Sequence, residues 1–401
     1  MKLAKFNALG NPKAMLLADQ KINAIEDYQL AMLEVIENFP PANFISPFLN
    51  QATVEIEDFF YDFLPTQRLW LRQTGRAGTT CIRRKRSKIL TDQIRQGGFE
   101  AVIFQGTPPP MSQEEWISLR KKNRKLEYVI AHLGHPFKPE LLSGVDLILC
   151  ASDELTKFYR DAGFRSETYY HSFPIHLLSH SKNFDDRNFE FTFVGSSGIN
   201  LDSHQHRLRY LQNLVKTFEC KLFLNNQDNI VLPRSISFSN EGIYEFRVRM
   251  SQIKKDIYDK LCFSKSMEMQ NKRFDSPVDL FESAEESIYG LEMFKTLGNT
   301  KLTVQIHTSA TKSAGAMRIF ESAGMGVCLV SDGDNMDKIL TPGSEVVTFS
   351  SEEELHKNCN YLLTHQDEMR EIAENAQKAV INRHSNRIRA QEFLEITGLK
   401  T

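Results

Sequence analysis

The chain has 401 residues, of which 41% are hydrophobic and 25% charged, and its 49 basic and 51 acidic side chains give a net charge of −2. This composition is typical of a folded protein, and the balanced charge excludes both a disordered chain and a uniformly basic nucleic-acid binder. The length predicts two domains, because single hydrophobic cores stop growing at about 250–300 residues. No uncharged apolar run approaches the roughly 20 residues that span a bilayer.

Cysteine spacing and the N-terminal segment bear on the cellular compartment. The six cysteines lie far apart and none forms a CxxC pair, which argues against a zinc site and a disulfide framework. The segment MKLAKFNALGNPKAMLLADQ has no continuous apolar stretch of signal-peptide length. We therefore expect a cytoplasmic protein.

Short β-branched runs alternate with helical patterns through most of the chain. Several runs are almost continuously apolar, as in parallel strands that are buried on both faces. The alternation predicts an α/β fold. The clearest predicted strands span residues 100–106, 145–152, 189–195, 220–225, 301–308, 326–332 and 345–349.

The polar, unpatterned segment 180–188 separates two α/β stretches and predicts a linker. We expect an N-terminal domain over residues 1–180, a second domain over 189–375 and a C-terminal helix over 376–401. Residues 226–276 have mixed charge and weak periodicity, and they predict an insertion. Parallel sheets bind ligands beyond the carboxyl ends of their strands, so two such domains facing each other predict a cleft.

The stretch HTSATKSAGAMRIFESAGMGVCLVSD, residues 307–332, predicts a strand end, a small polar loop, a helix and the next strand. The first amides of that helix, with Lys312 and Arg318, suit a diphosphate. Glu321 follows Arg318 by three residues on the same helix face, where its carboxylate can accept both hydroxyl protons of a ribose. The spacing is equally compatible with a solvated Glu321 and glycines that only end the helix.

The segment MRIFESAGMG, followed by a strand and Asp332, resembles the donor-binding segment of GT-B glycosyltransferases. The resemblance is to the bacterial "glycosyl transferases group 1" type related to spore maturation proteins. Residues 289–293, 339–355 and 372–389 are similar to the same family, as is the strand and loop that ends at Gly195 and Ser196. The similarity covers most of residues 189–395 and continues more weakly through 60–175.

The resemblance implies a GT-B fold, with two Rossmann-like domains whose parallel sheets face an interdomain cleft, and a nucleotide sugar held by the C-terminal half. It gives Glu321 the ribose-binding role. Many retaining members have a second glutamate eight positions earlier, where this chain has Ser313, so retaining and inverting chemistry both stay open. The implied diphosphate ligands are Gly195, Ser196, Arg207, Lys312, Arg318 and the amides of Gly315, Ala316 and Met317.

Two further motifs concern a metal and a general base. Asp332-Gly333-Asp334 matches the DxD motif of metal-dependent GT-A enzymes, but an Asp-Gly turn after a strand needs no metal. We expect no metal and no cofactor besides the nucleotide-sugar co-substrate, because helix amides and basic side chains can neutralise the leaving diphosphate. The expected base is His132 or His135 in the loop of VIAHLGHPF, with His171 as a third candidate. A histidine satisfied by loop backbone is the alternative for each.

The stretch from Arg72 to Lys88 carries seven positive charges and no acid. It predicts either a solvated loop or a contact with anionic lipid headgroups or a phosphate-bearing acceptor. Because no aromatic residue lies within the run, stacking on single-stranded nucleic acid is not expected.

Taken with the resemblance, the sequence predicts a glycosyltransferase that moves a sugar from a nucleotide diphosphate to an acceptor hydroxyl. The expected acceptor is a bacterial surface glycan or its lipid-linked precursor, and the expected place is the cytoplasm or the inner membrane face. Two alternatives stay open: a nucleotide-sugar epimerase of the same fold, and a membrane or nucleic-acid binding module built on the basic run.

Overall fold

The computed structural model describes residues 1–51, 54–76, 86–196, 205–225, 236, 280, 284–307 and 313–399. Lys312 and, apart from Ile236, the predicted insertion 226–276 lie outside the described residues. The described residues form two compact units. The first comprises the described residues up to 172, residue 236 and residues 386–399, and the second comprises the described residues from 173 to 225, residue 280 and residues 284–307 and 313–385.

The first unit is built on a parallel sheet of six strands. The strands are β1 (Lys2–Asn7), β2 (Glu55–Phe60), β3 (Ala101–Gln105), β4 (Tyr128–Leu133), β5 (Leu147–Cys150) and β6 (Ser166–Thr168). They pair in the order β2-β1-β3-β4-β5-β6, all parallel. The helices that connect them are α1 (Pro12–Ile22), α2 (Tyr28–Asn38), α3 (Ser46–Gln51), α4 (Leu64–Gln73), α5 (Arg86–Gly97), α6 (Gln113–Lys122) and α7 (Asp153–Asp161).

The second unit has its own parallel sheet of six strands. They are β7 (Phe189–Ser196), β8 (Lys221–Asn225), β9 (Glu285–Glu286), β10 (Thr300–Gln305), β11 (Cys328–Ser331) and β12 (Val347–Thr348). The order is β12-β11-β10-β7-β8-β9, so the direction of winding reverses between β7 and β10. Ligands of open α/β sheets bind beyond the carboxyl ends of the strands at such a switch point.

The helices of the second unit are α8 (Gln205–Thr217), α9 (Gly290–Gly298), α10 (Met317–Gly324), α11 (Glu352–Thr364) and α12 (Gln366–His384), and α13 (Asn386–Thr397) completes the first unit. Local capping explains where α11 begins. Ser351 Oγ accepts the N–H of Glu354 at 3.2 Å, while the Glu354 carboxylate accepts the N–H of Ser350 at 2.8 Å. This arrangement is a capping box with the return bond shifted by one residue.

Both faces of the first sheet are buried. Neighbouring residues of one strand belong to different hydrophobic clusters, as Ile130 and Ala131 do in β4 and Leu147 and Ile148 do in β5. This double burial is why the strand sequences are almost continuously apolar. The prediction of an α/β fold with parallel sheets is confirmed, and the predicted cleft between the domains stays a prediction.

The division of the chain differs from the predicted boundaries 1–180, 189–375 and 376–401. The first unit ends at Ser172, and the predicted C-terminal helix consists of the end of α12 and the separate helix α13. Ser385 separates them because its backbone is extended, with φ −69° and ψ 156°. Helix α13 then packs in the first unit, where Phe393 is fully buried.

The predicted linker 180–188 is part of the second unit. Arg187 fixes it there, because its guanidinium donates to the carbonyls of Lys182, Thr300, Met325 and Gly326. The side chain is 8% exposed. One buried arginine thus holds segment 180–188 in the second unit, and the prediction of a linker from its polar composition is wrong.

Candidate functional site

The switch point of the second sheet lies where β7 and β10 end. Gly195 and Ser196 are the last residues of β7, and both are partly exposed. They pair with Leu224 and Asn225 at the end of β8. Two of the predicted diphosphate ligands therefore lie on the carboxyl edge of this sheet, the edge at which its parallel strands end.

Arg207, in the first turns of α8, joins the ends of these two strands. Its Nε and Nη2 donate to the carbonyl of Ile306, the Nε bond at 3.1 Å, and Nη1 donates to the carbonyl of Ser196 at 3.3 Å. The side chain is 8% exposed, and burial lowers its pKa to about 10 although Asp332 acts in the opposite direction. The Arg207 guanidinium thus binds the protein's own backbone at the switch point, and its contact with a diphosphate stays a prediction.

Helix α10 begins at the same edge. The loop before it pairs with the loop after β11, since the Ala314 N–H donates to the Asp334 carbonyl at 2.7 Å. Gly315 is buried, Ala316 is the extended residue before the helix, and Met317 is exposed at its start. The first amides of a helix lack partners within it, so this end can receive an anion.

Glu321 is 9% exposed, which excludes the interpretation of a solvated helix residue. Arg318 Nη1 lies 2.8 Å from Glu321 Oε2. Burial raises the pKa of Glu321, and the charge of Arg318 acts against that rise. Carboxylate oxygens only accept hydrogen bonds, so a desolvated carboxylate at this position suits a pair of hydroxyl groups. The predicted ligands Gly315, Ala316, Met317, Arg318 and Glu321 thus share one helix start.

His307 and Asp332 form a pair that the sequence interpretation missed. Asp332 Oδ1 accepts the His307 backbone N–H at 2.7 Å and its Nδ1–H at 2.8 Å. Burial would raise the pKa of Asp332, but the hydrogen bonds and charge of His307 lower it. The signal was present, because both residues lie at the ends of predicted strands, 301–308 and 326–332, and neighbouring parallel strands end at one edge of a sheet. Within the described ranges, no group of three His, Cys, Asp or Glu side chains is placed to hold a metal ion.

His132 does not lie in a loop but inside β4, where it is fully buried. Its Nε2 donates to the Tyr169 carbonyl at 3.0 Å, so Nδ1 accepts from Gln105 Nε2 at 2.6 Å and from Asn43 Nδ2 at 3.2 Å. Burial, followed by the charge of His171, holds its pKa well below the ordinary value. The prediction that His132 lies in a loop is wrong. With both nitrogens engaged in the core, the geometry favours the alternative of a structural histidine over a general base.

His135 lies after the end of β4 and is exposed. It belongs to the first unit, and its role as a base stays a prediction.

The basic run from Arg72 to Lys88 is described only at its two ends, where Arg76 pairs with Asp92 at 3.0 Å and Arg86 lies over the Tyr61 ring. None of the helices in the described part of the chain is long and apolar enough to span a bilayer.

The buried His171 side chain is expected to make the free energy of unfolding depend on pH. It is 7% exposed, and burial, with Arg389 as a second cause, lowers its pKa to about 4. The unfolded chain protonates this ring below about pH 6.5, so between these two values it binds more protons than the folded chain. We expect protonation of His171 to leave the free energy of unfolding unchanged above about pH 6.5 and to lower it by up to about 1.4 kcal/mol per pH unit as pH falls from there towards 4.

The measurement is urea unfolding across this pH range. His171→Asn should flatten the dependence, leaving the parts that come from His132 and His176. His365→Asn changes an exposed histidine and should leave the dependence as in the parent chain. An unchanged slope in His171→Asn would contradict the assignment.

Part of the chain matches a protein family, and its fold is similar to solved structures. Residues 275–395, which include α10, match a family model described as "Glycosyl transferase-like". The curated proteins contain no match. Among solved structures, the chain is similar to Anabaena Alr3699/HepE in complex with UDP-glucose, at 13% identity and a TM-score of 0.52 over 99% of both chains. It is also similar to sucrose-phosphate synthase from Thermosynechococcus elongatus, at 8% identity and a TM-score of 0.52 over 99% of this chain and 98% of that one.

A third similar structure is AviGT4, a glycosyltransferase involved in Avilamycin A biosynthesis, at 9% identity and a TM-score of 0.50 over 98% of this chain and 96% of that one. Identities this low establish the fold alone. Together with the two parallel sheets, they show that the chain has the two-domain α/β architecture of the GT-B fold.

Proposed function

We propose that the protein transfers a sugar from a nucleotide diphosphate to an acceptor hydroxyl. The buried carboxylate of Glu321 beside the switch point carries this proposal. A carboxylate out of water is costly unless it has partners, and Arg318 supplies one while ribose hydroxyls would supply more. The family match supports the proposal because it includes this helix. Similar folds whose structures contain UDP or UDP-glucose support it further.

In this proposal Glu321 binds the ribose and the start of α10 receives the diphosphate. Gly195, Ser196 and Lys312 complete the diphosphate site, and Arg207 shapes it by holding the ends of β7 and β10 together. The leaving diphosphate is stabilised by amides and basic groups rather than by a resident metal. The proposal that no metal is needed rests on Asp332. This partly buried acid of the DxD motif already binds His307.

The acceptor side of the proposal rests on the first unit. We propose that His135 assists the acceptor hydroxyl and that the run from Arg72 to Lys88 contacts an anionic lipid or a phosphate-bearing acceptor. The proposed acceptor is a surface glycan or its lipid-linked precursor, and the proposed place is the cytoplasmic side of the membrane. The subtype related to spore maturation proteins is the family we propose.

A thermal-shift panel of nucleoside diphosphates and sugar nucleotides tests the proposal. A ligand present at 100 times its Kd adds about 2.7 kcal/mol to the free energy of unfolding. We expect one nucleobase to give a shift that persists in EDTA. A flat panel with and without divalent ions would count against the proposal, and a shift that EDTA abolishes would count against metal independence.

Incubation with the selected sugar nucleotide separates transfer from the epimerase alternative. A transferase without acceptor releases nucleoside diphosphate only by slow hydrolysis, whereas an epimerase yields an isomeric sugar nucleotide. Product analysis by chromatography and NMR distinguishes the two. Accumulation of the isomer would replace the proposed reaction with epimerisation.

A further inference from the structure

His307, the second residue after β10, is held at several points. Its carbonyl accepts from His206 Nε2 at 2.9 Å, and the carbonyl before it binds Arg207. Asp332 holds both its backbone N–H and its Nδ1–H. The residue is 4% exposed. A side chain fixed in this way is preorganised, so it has little conformational freedom left to lose when it binds a ligand.

The second ring nitrogen of His307, Nε2, differs from Nδ1. Within the described part of the chain, Nε2 is buried and has no hydrogen-bond partner. A buried polar atom without a partner costs about 1–3 kcal/mol. Most buried polar atoms are paired, so such an atom at the carboxyl edge of a ligand-binding sheet calls for a ligand.

The chemistry of Nε2 follows from Asp332. A carboxylate only accepts hydrogen bonds, so Nδ1 carries a proton, and a second proton makes Nε2 a donor as well. A charged N–H donor at Nε2 suits an anionic oxygen. The start of α10, which suits the same charge, lies at this edge through the pairing of Ala314 with Asp334.

We propose that His307 donates a hydrogen bond from Nε2 to a phosphoryl oxygen of the nucleotide diphosphate, with Asp332 as its positioning residue. This inference rests on the proposed function and adds to it a proton-dependent contact. Among the described residues, Asp332 after β11 contacts the imidazole, while His206 and Arg207 on α8 bind the backbone carbonyls of His307 and Ile306. Lys312, in the following segment, lies outside the described residues.

Calorimetry on the full chain tests the contact with three probes: the nucleoside diphosphate selected by the panel, its parent nucleoside and inorganic pyrophosphate. For the parent chain we expect affinity for both phosphate probes to fall as pH rises through the range of about 5–8 in which histidines deprotonate. His307→Gln should weaken both by about 10- to 150-fold and remove this dependence. Affinity for the nucleoside should stay within about twofold.

Two further variants separate positioning from a general structural role. Asp332→Asn keeps a side chain of the same shape but removes its charge, so the pH at which diphosphate affinity is half lost should move lower. Gly333→Ala places a Cβ 2.8 Å from His307 Cε1 and should displace the ring, lowering diphosphate affinity without affecting the nucleoside. The matched control is His365→Gln, which changes an exposed histidine.

The parent chain alone provides a measurement that no folding defect affects. Binding of pyrophosphate, measured in buffers of different ionisation enthalpy, should take up protons beyond those of pyrophosphate itself near the upper end of this pH range. Three results would overturn the contact. They are the absence of proton uptake, an affinity that rises with pH, and unchanged diphosphate binding in His307→Gln. If the diphosphate binds and still depends on Glu321, the proposed function survives that failure. If no nucleotide binds, both proposals fall.

Discussion

Replacing Glu321 by alanine is expected to weaken binding of the selected nucleoside diphosphate by about 10- to 150-fold. A hydrogen bond to a charged group contributes roughly 1.5–3 kcal/mol, and its loss corresponds to this change in Kd. Glu321→Gln, which keeps an accepting oxygen but loses the charge, should fall between the parent chain and the alanine variant. The measurement is the Kd from calorimetry, with the parent nucleoside as a second probe. Because Glu321 is proposed to bind the ribose, affinity should fall for both the nucleoside diphosphate and the nucleoside.

Arg318 provides the control for the ion pair. If Glu321 serves only to neutralise Arg318, removing either partner should have the same effect on binding. If it binds the ribose, Arg318→Ala leaves a buried carboxylate whose hydroxyl contacts remain, and nucleoside affinity should fall much less than in Glu321→Ala. Glu371→Ala, an exposed glutamate on α12, should change neither. Parent-like affinity in Glu321→Ala would remove the main support for the proposed function.

The second unit was the easier one to predict from sequence. Predicted strands 189–195, 301–308 and 326–332 correspond to β7, β10 and β11, because these strands are apolar and bounded by turn residues. In the first unit, β1 and β2 were not among the clear predictions. Lys5 in β1 is fully buried beside Asp58 of β2, with Nζ 3.7 Å from Oδ1. A charged pair 53 positions apart in sequence breaks the apolar pattern of both strands at once.

Pairs of side chains in the candidate site were predicted only where short-range spacing determines them. Arg318 and Glu321 share a helix turn, so their pairing follows from local geometry. The partners of His132 and His307 depend on which strands are adjacent and where each ends, which the sequence does not state. His132 was predicted to lie in a loop, whereas β4 continues to Leu133 and buries the His132 side chain in the core.

Arg187→Met is expected to lower the free energy of unfolding of the second unit by about 3 kcal/mol or more. The guanidinium donates to four backbone carbonyls at the amino ends of the strands, and each buried carbonyl left without a donor costs about 1–3 kcal/mol. Burial lowers the pKa of Arg187 only to about 10, so the side chain stays charged at neutral pH. For a unit of this size the melting temperature should fall by about 6 °C or more.

Arg370→Met is the matched control, because Arg370 binds the same segment through Asp185 at 2.6 Å but on the surface. Exposed pairs contribute about 0–1 kcal/mol, so its melting temperature should stay near that of the parent chain. Arg187→Lys should recover little, since an ammonium lacks the planar fork that reaches several carbonyls. Arg187 lies at the amino ends of the strands, whereas the proposed site lies at their carboxyl ends. Below its melting temperature, Arg187→Met should therefore bind the nucleotide like the parent chain, and a variant that melts like the parent would show that segment 180–188 is held by other contacts.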